Sequence, residues 1–298
     1  MPWLQLKLDA TPDTAERLSD LLSEAGASAV TLQDAADQPL FEPPPGSAPL
    51  WSQTWVIGLF DADSDMEAVL HQLQSAWGDA PFPGWQLNPL EDKDWIKAWM
   101  DNFKPMQFGE KLWIVPGGYQ PPEPDAINIH LDPGLAFGTG THPTTAMCLQ
   151  WLDAHPPVNK TVIDYGCGSG ILAIAAALLG AEKVWATDID PQALLATRDN
   201  AEKNQVLANI ETLLPRELPE LQVDVLLANI LAGPLTELAP LFASHIKEGG
   251  QVVLSGIIES QQQNIINAYQ DYFDISLYRQ QSEAGQEPWI CLHGTRKA

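Results

Sequence analysis

Gly166, Gly168 and Gly170 recur at a spacing of two, with a carboxylate, Asp164, two residues before the first. Glycines in such a run let a backbone turn come close to a ligand and open a helix N-terminus toward it. A second carboxylate, Asp188, ends the next apolar segment, Lys-Val-Trp-Ala-Thr, where it can accept both hydroxyls of a ribose. Asp190, immediately before Pro191, reads instead as the cap of a following helix. Together these residues point to a nucleoside ligand. A dinucleotide fingerprint would run Gly-x-Gly-x-x-Gly and receive a pyrophosphate. Here the longer gap is missing, and a carboxylate stands where phosphates would be repelled. A cationic nucleoside such as S-adenosylmethionine, with its ammonium and sulfonium, suits the turn better. The plain alternative is a purely structural glycine turn, which the flanking strand and helix and the downstream Asp188 disfavour.

Asn229 lies in Ala228-Asn-Ile-Leu231, after another apolar segment and before another helix. It could simply cap that helix. Its side-chain oxygen could instead accept a hydrogen bond from an amine and aim the nitrogen lone pair at a methyl group. The chain shows no Ser-His-Asp set and no phosphate-binding lysine loop, and His142 lacks a partner at metal-ligand spacing.

The elements that must hold these residues alternate. Apolar strands are expected at Thr161 to Asp164, Lys183 to Thr187, Val223 to Ala228 and Gln251 to Ser255, with helices at about 170–179, 191–204 and 234–246. A helix from Glu259 to Tyr269 then leads to strands at Asp274 to Tyr278 and Trp289 to His293, an antiparallel edge pair of a mostly parallel sheet. The first ninety residues have a different rhythm. Strands at Trp3 to Leu8, Ala29 to Leu32, Trp55 to Phe60 and Trp85 to Leu87 frame two helices. The first opens at Thr11-Pro12 and stops at Gly26; the second is capped by Asp63 or Ser64 and stops at Gly78. This βαββαβ order implies a ferredoxin-like domain. The stretch 39–49 is proline-rich and turn-like, Asp92 to Pro105 suits a short amphipathic helix bearing Trp95 and Trp99, and Lys111 to Val115 reads as a strand entering the second domain. The expected organisation is a small α+β domain over residues 1–91, a linker over 92–115 and a ligand-binding domain over 116–298.

With 298 residues and 45% hydrophobic content, the chain can bury the cores of two ordinary domains. No apolar run approaches a membrane span, the start lacks the order of a signal peptide, and three scattered cysteines make neither a disulfide framework nor a zinc site. A reduced, cytoplasmic protein away from membranes is expected. Thirty-nine acidic residues against 15 basic ones give a net charge of -24. That disfavours direct nucleic-acid binding and makes a basic protein an easier partner, although solubility is a sufficient reason for such acidity.

The chain closely resembles the ribosomal protein L11 methyltransferases. The likeness rests on Leu131 to Thr145 (Leu-Asp-Pro-Gly-Leu-Ala-Phe-Gly-Thr-Gly-Thr-His-Pro-Thr-Thr), on Asp164 to Ala175, and on the Asp188-Ile-Asp-Pro191, Ala228-Asn-Ile-Leu231 and Leu254-Ser-Gly-Ile257 segments. It implies a Rossmann-like class I methyltransferase sheet, mostly parallel with an antiparallel final strand, preceded by a small domain that recognises the substrate protein. It also implies transfer of methyl groups from S-adenosylmethionine to lysine and N-terminal α-amines of ribosomal protein L11. On the same basis Thr145, Gly166, Asp188 and Asn229 contact the cofactor, with Asp164, Gly168 and Gly170 completing the turn. The loop carrying Phe137, Gly138, Thr139, Thr141 and His142 lies over the methyl-transfer site. A monomer is expected. A methyltransferase of the same fold with another protein or small-amine substrate, and a non-catalytic factor that merely holds the cofactor, are the alternatives.

Overall fold

The computed structural model describes residues 3–36, 49–90, 104–131, 142–282 and 287–298. Its contacts divide the chain into two units, Met1–Ala98 and Trp99–Ala298. In the first, β1 (Trp3–Ala10) alternates, so that Leu6 and Leu8 are fully buried while Asp9 is exposed. α1 (Pro12–Glu24) begins after Thr11, whose NH donates to Thr14 Oγ1 at 2.9 Å. After the helix the chain turns through Gly26 at a φ of 93°. β2 (Ala29–Asp34), β3 (Thr54–Asp61), α2 (Met66–Trp77) and β4 (Trp85–Leu90) follow. The four strands pair antiparallel in the order β2-β3-β1-β4. Both helices pack on one face, with Leu18 and Leu22 of α1 and Leu73 and Trp77 of α2 meeting Leu6, Leu8, Val56 and Phe60.

The cap of α2 is Asp65, one or two residues later than expected. From that position its carboxylate reaches the third helical amide, Ala68 NH, at 3.1 Å. The other end of α2 is closed by Arg17, which lies over the Trp77 ring and donates to the carbonyls of Ala76 and Trp77.

The second unit opens with a sheet of three short strands, β5 (Met106–Phe108), β6 (Leu112–Val115) and β7 (Ile127–His130); β6 is antiparallel to β5 and parallel to β7. Phe108, Leu112 and Ile114 are buried in this unit's core. β6 falls where a strand was expected, at Lys111 to Val115, and β5 is a further strand within the expected linker; the expected helix over Asp92 to Pro105 falls almost wholly outside the described residues.

The remaining elements are α3 (Pro143–Ala154), β8 (Thr161–Tyr165), α4 (Ile171–Leu178), β9 (Lys183–Thr187), α5 (Pro191–Lys203), β10 (Ile210–Leu213), β11 (Val223–Asn229), α6 (Ala232–His245), β12 (Ile246–Ile258), α7 (Gln262–Tyr269), β13 (Phe273–Gln281) and β14 (Trp289–Arg296). Seven strands form one sheet in the order β10-β9-β8-β11-β12-β14-β13. β8 to β12 run parallel, and β14 is antiparallel to both of its neighbours. The last strand is thus inserted between β12 and β13, leaving β13 at the edge. One apolar cluster joins α3, α4 and α5 to one face of the sheet, and another joins α6 and α7 to the opposite face. With both faces covered, central strands such as β8 and β11 are buried along nearly their whole length. Among the described residues no helix is long and apolar enough to cross a membrane.

Candidate functional site

The chain leaves β8 toward one edge of the sheet and β11 toward the other, so a crevice opens between their carboxyl ends. Register fixes what stands there. Tyr165 is paired with Thr187 on one side and with Ala228 on the other. Gly166, Asp188 and Asn229 each follow one residue beyond that row. Neighbouring strands are about 4.8 Å apart, so the glycine turn lies centrally, with a carboxylate on one flank and a carboxamide on the other.

The turn itself is strongly bent: φ is 80° at Gly166, 53° at Gly168 and 80° at Gly170, a region that side chains disfavour. Its amides are largely committed within the protein. Gly166 and Cys167 NH both donate to Thr187 O, Gly170 NH donates to Cys167 O, and Gly168 NH donates to Asp188 Oδ2 at 2.9 Å. A pyrophosphate loop offers such amides to its ligand; this turn has spent them on itself. That is a physical reason, beyond glycine spacing, for setting phosphate ligands aside.

Asp188 is half-buried, and its Oδ1 accepts from Asp190 NH at 3.0 Å. Each oxygen thus accepts one main-chain bond and keeps capacity for another donor. Asp190 caps α5 by accepting from Gln192 NH at 2.9 Å. Between them Ile189 is 85% exposed, an apolar residue set beside a carboxylate at the mouth of the crevice.

Asp164 differs from what its sequence position suggests. It is fully buried; Oδ2 accepts from Ala173 NH at 2.9 Å and Oδ1 has no hydrogen-bond partner among the described residues. Ala173 is the third residue of α4, whose N-cap, Gly170, has no side chain, so Asp164 supplies the missing cap from the preceding strand. Burial pushes its carboxyl up to about 7; the Ala173 bond opposes the rise and the Asp188 carboxylate adds to it. Cys167 is also buried, and burial pushes its thiol up, away from nucleophilic use.

On the opposite flank Asn229 Nδ2 donates to Thr145 Oγ1 at 3.1 Å, which fixes the carboxamide and leaves Oδ1 as its acceptor. Thr145 is buried in the first turn of α3. His142 caps that helix: its Nδ1 takes the Thr144 NH and lies 2.8 Å from Thr144 Oγ1, and its ring meets Trp289 edge-on at 4.7 Å. Phe137, Gly138, Thr139 and Thr141 lie outside the described residues. The chain on either side of them is anchored. His142 fixes the exit, and Asn204 fixes the entry by accepting from His130 NH at 2.7 Å and donating to His130 O at 2.8 Å.

Three polar residues, two in α5 and one at its C-cap, escape a reading of motifs. Thr197 Oγ1 donates to Gly168 O and Asn200 Nδ2 to Ser169 O, while Asn204 holds His130. Their spacing, i, i+3 and i+7, puts them on one helix face. That periodicity is the signal that could have found them. No group of three or more His, Cys, Asp or Glu able to hold a metal occurs among the described residues. A separate cleft of about 680 Å³, walled by Gln107, Lys111, Gln150, Asp153, Tyr278 and Arg279, lies toward the far end of α3 and shares no residue with the crevice.

A model of the family described as Ribosomal protein L11 methyltransferase (PrmA) matches residues 2–297. The ribosomal protein L11 methyltransferase of Marinobacter nauticus is 52% identical over 301 residues, covering 100% of this chain and 99% of that protein. That of Pseudomonas aeruginosa is 52% identical over 299 residues, with 100% of each chain covered. Among solved structures, the ribosomal protein L11 methylase of Lactobacillus delbrueckii subsp. bulgaricus superposes with a TM-score of 0.58 at 36% identity, covering 66% of this chain and all of that one.

Proposed function

The chain belongs to the ribosomal protein L11 methyltransferase family, and we propose that it methylates ribosomal protein L11 at lysine side chains and at the N-terminal α-amine, using S-adenosylmethionine. Its sheet is that of the class I S-adenosylmethionine-dependent methyltransferases. The observation that carries the reading is the row of Asp188, Gly166 and Asn229 along one rim, with the turn's amides turned inward.

The residues present fit that cofactor. Asp188 has acceptor capacity for a ribose, and Ile189 offers an exposed apolar face to a flat base. When bound, S-adenosylmethionine supplies a methyl group already activated by a sulfonium leaving group. The protein has then to orient an amine, hold it in line and exclude water. Asn229, steadied by Thr145, would accept a hydrogen bond from the incoming amine and aim its lone pair.

The proton is the harder problem. At pH 7 a lysine is neutral in about one molecule in 2,500, an α-amine in about one in ten. Matching a fully neutral lysine needs about 4.6 kcal/mol of differential stabilisation, part of which an apolar pocket supplies by lowering the amine pKa. Asp164 is sealed and His142 spends Nδ1 on its helix cap. We assign proton removal to water, with Asn229 orienting rather than acting as base.

The acidity of the chain suits a basic protein substrate. The small domain over residues 1–91 is the proposed recognition domain, and a ribosomal substrate sets the reaction in the cytoplasm. The test is incubation of purified ribosomal proteins with enzyme and methyl-labelled cofactor. Label in L11, at lysines and the N-terminus, is expected; label only in other proteins would contradict the reading.

A further inference from the structure

Ile230 follows Asn229 directly and is locked between two glycines, one in the turn after β8 and one in β12. A Cβ added at Gly166 would collide with Ile230 Cγ2. One added at Gly256 would collide with the main chain of Ile230, at its carbonyl above all. Gly166 has a φ of 80° and Gly256 a φ of 85°, so both sites exclude ordinary side chains twice over, by conformation and by space. Gly256 follows Ser255, which the parallel register pairs with Asn229. The remainder of Ile230 packs on the cluster of α6 and α7, together with Tyr165, the residue before the glycine turn. The cofactor turn and the strand beyond thus both press on the residue after Asn229, the turn on its side chain and the strand on its main chain.

We infer that Ile230 is a positioning residue: its γ-methyl branch, seated over Gly166, sets where the Asn229 carboxamide stands relative to the glycine turn. The proposal rests on the methyl-transfer role of that carboxamide, but its geometry can be tested without turnover. What matters is the branch at Cβ, since Cγ2 is the atom over Gly166. Valine keeps that methyl. Leucine has the volume of isoleucine but moves its branch one carbon outward, and alanine has neither. A residue that only filled apolar space would tolerate leucine at least as well as the smaller valine.

Ile230→Val, Ile230→Leu and Ile230→Ala are compared with the unaltered chain in three measurements. The first is the resonance of the Asn229 side-chain NH2, assigned through Asn229→Gln. The second is the cofactor Kd by calorimetry, and the third is kcat for methyl transfer to L11. Valine should leave the resonance unmoved and kcat within about threefold of the unaltered chain. Leucine and alanine should shift the resonance and lower kcat by tenfold or more, with a smaller change in Kd. The thermal midpoint of the leucine variant, close to that of the valine variant, separates mispositioning from unfolding. Leucine matching valine in resonance and kcat would overturn the proposal. An unaltered chain that transfers no methyl to L11 would instead overturn the functional reading, with the resonance still deciding whether the Cβ branch positions Asn229.

Discussion

A carboxyl sealed from water, with one main-chain donor and a second carboxylate nearby, holds its proton far above the ordinary range. For Asp164 that point is about 7. Between the ordinary carboxylate pKa and this value the folded chain binds more protons than the unfolded one, so this group's contribution to stability falls as pH rises. Fully developed above pH 7, the deficit is of order 4 kcal/mol in the cofactor-free protein. Asp164→Asn removes the titration and keeps an oxygen for Ala173. Relative to that variant, the unaltered chain should lose unfolding free energy between about pH 4 and about pH 7; a constant difference in denaturant titrations would refute this. Asp188 works in two ways, tying Gly168 and Asp190 amides as well as facing the crevice. Asp188→Ala should therefore weaken cofactor binding and also cost about 1–3 kcal/mol of stability. Calorimetry and denaturant titration check the two arms, and an unchanged Kd would refute the first. Asn229→Ala should reduce turnover by about a hundredfold; near-normal turnover would remove it from the chemistry. These positions were readable because each lies at or just past the carboxyl end of an apolar strand and has a side chain able to bind a ligand. The inward-facing amides and the sealing of Asp164 were not, since both depend on neighbours far away in sequence.

The elements differ in how openly the sequence displays them. β9 and α2 run over the residues their patterns indicate, because β9 alternates and α2 has one apolar face and a glycine, Gly78, just past its end. α3 left no periodic trace: residues 143 to 149 are all buried, and a helix apolar on every side has no moment to read. Only the His142-Pro143 pair marks its start. β10 is four residues long and follows a single 3-10 turn, too short for an alternation to stand out. The cap at Asp65 was missed among three adjacent capping candidates. Turns that carry φ above zero allow a direct comparison of space with strain. Gly26, at a φ of 93°, has nothing within 4 Å of an added Cβ, whereas at Gly256 the added atom would strike the Ile230 main chain. Gly26→Ala should cost about 1–2 kcal/mol, the conformational penalty alone. Gly256→Ala should cost clearly more and lower methyl transfer as well. Equal unfolding free energies for the two variants would show that the close packing around Ile230 carries no energy.

For the whole molecule, the βαββαβ order and the later alternation of strands and helices were visible because each unit closes its own core. Of the three-stranded sheet only β6 was legible, as the strand expected at Lys111 to Val115; β5 and β7, of three and four residues, are too short for an alternation to stand out. A net charge of -24 acts at this scale too. If complementary charge brings L11 to the enzyme, KM for L11 should rise steeply as salt increases while the cofactor Kd changes little. A salt-independent KM would leave the acidity to solubility. The central claim is that this chain places methyl groups on L11, and intact-mass and peptide mass spectrometry of L11 after reaction with S-adenosylmethionine tests it most directly. Mass gains of whole methyl groups, mapping to lysines and the N-terminal amine and absent with Asn229→Ala, are expected. Unmodified L11, under conditions where the chain binds the cofactor, would contradict it.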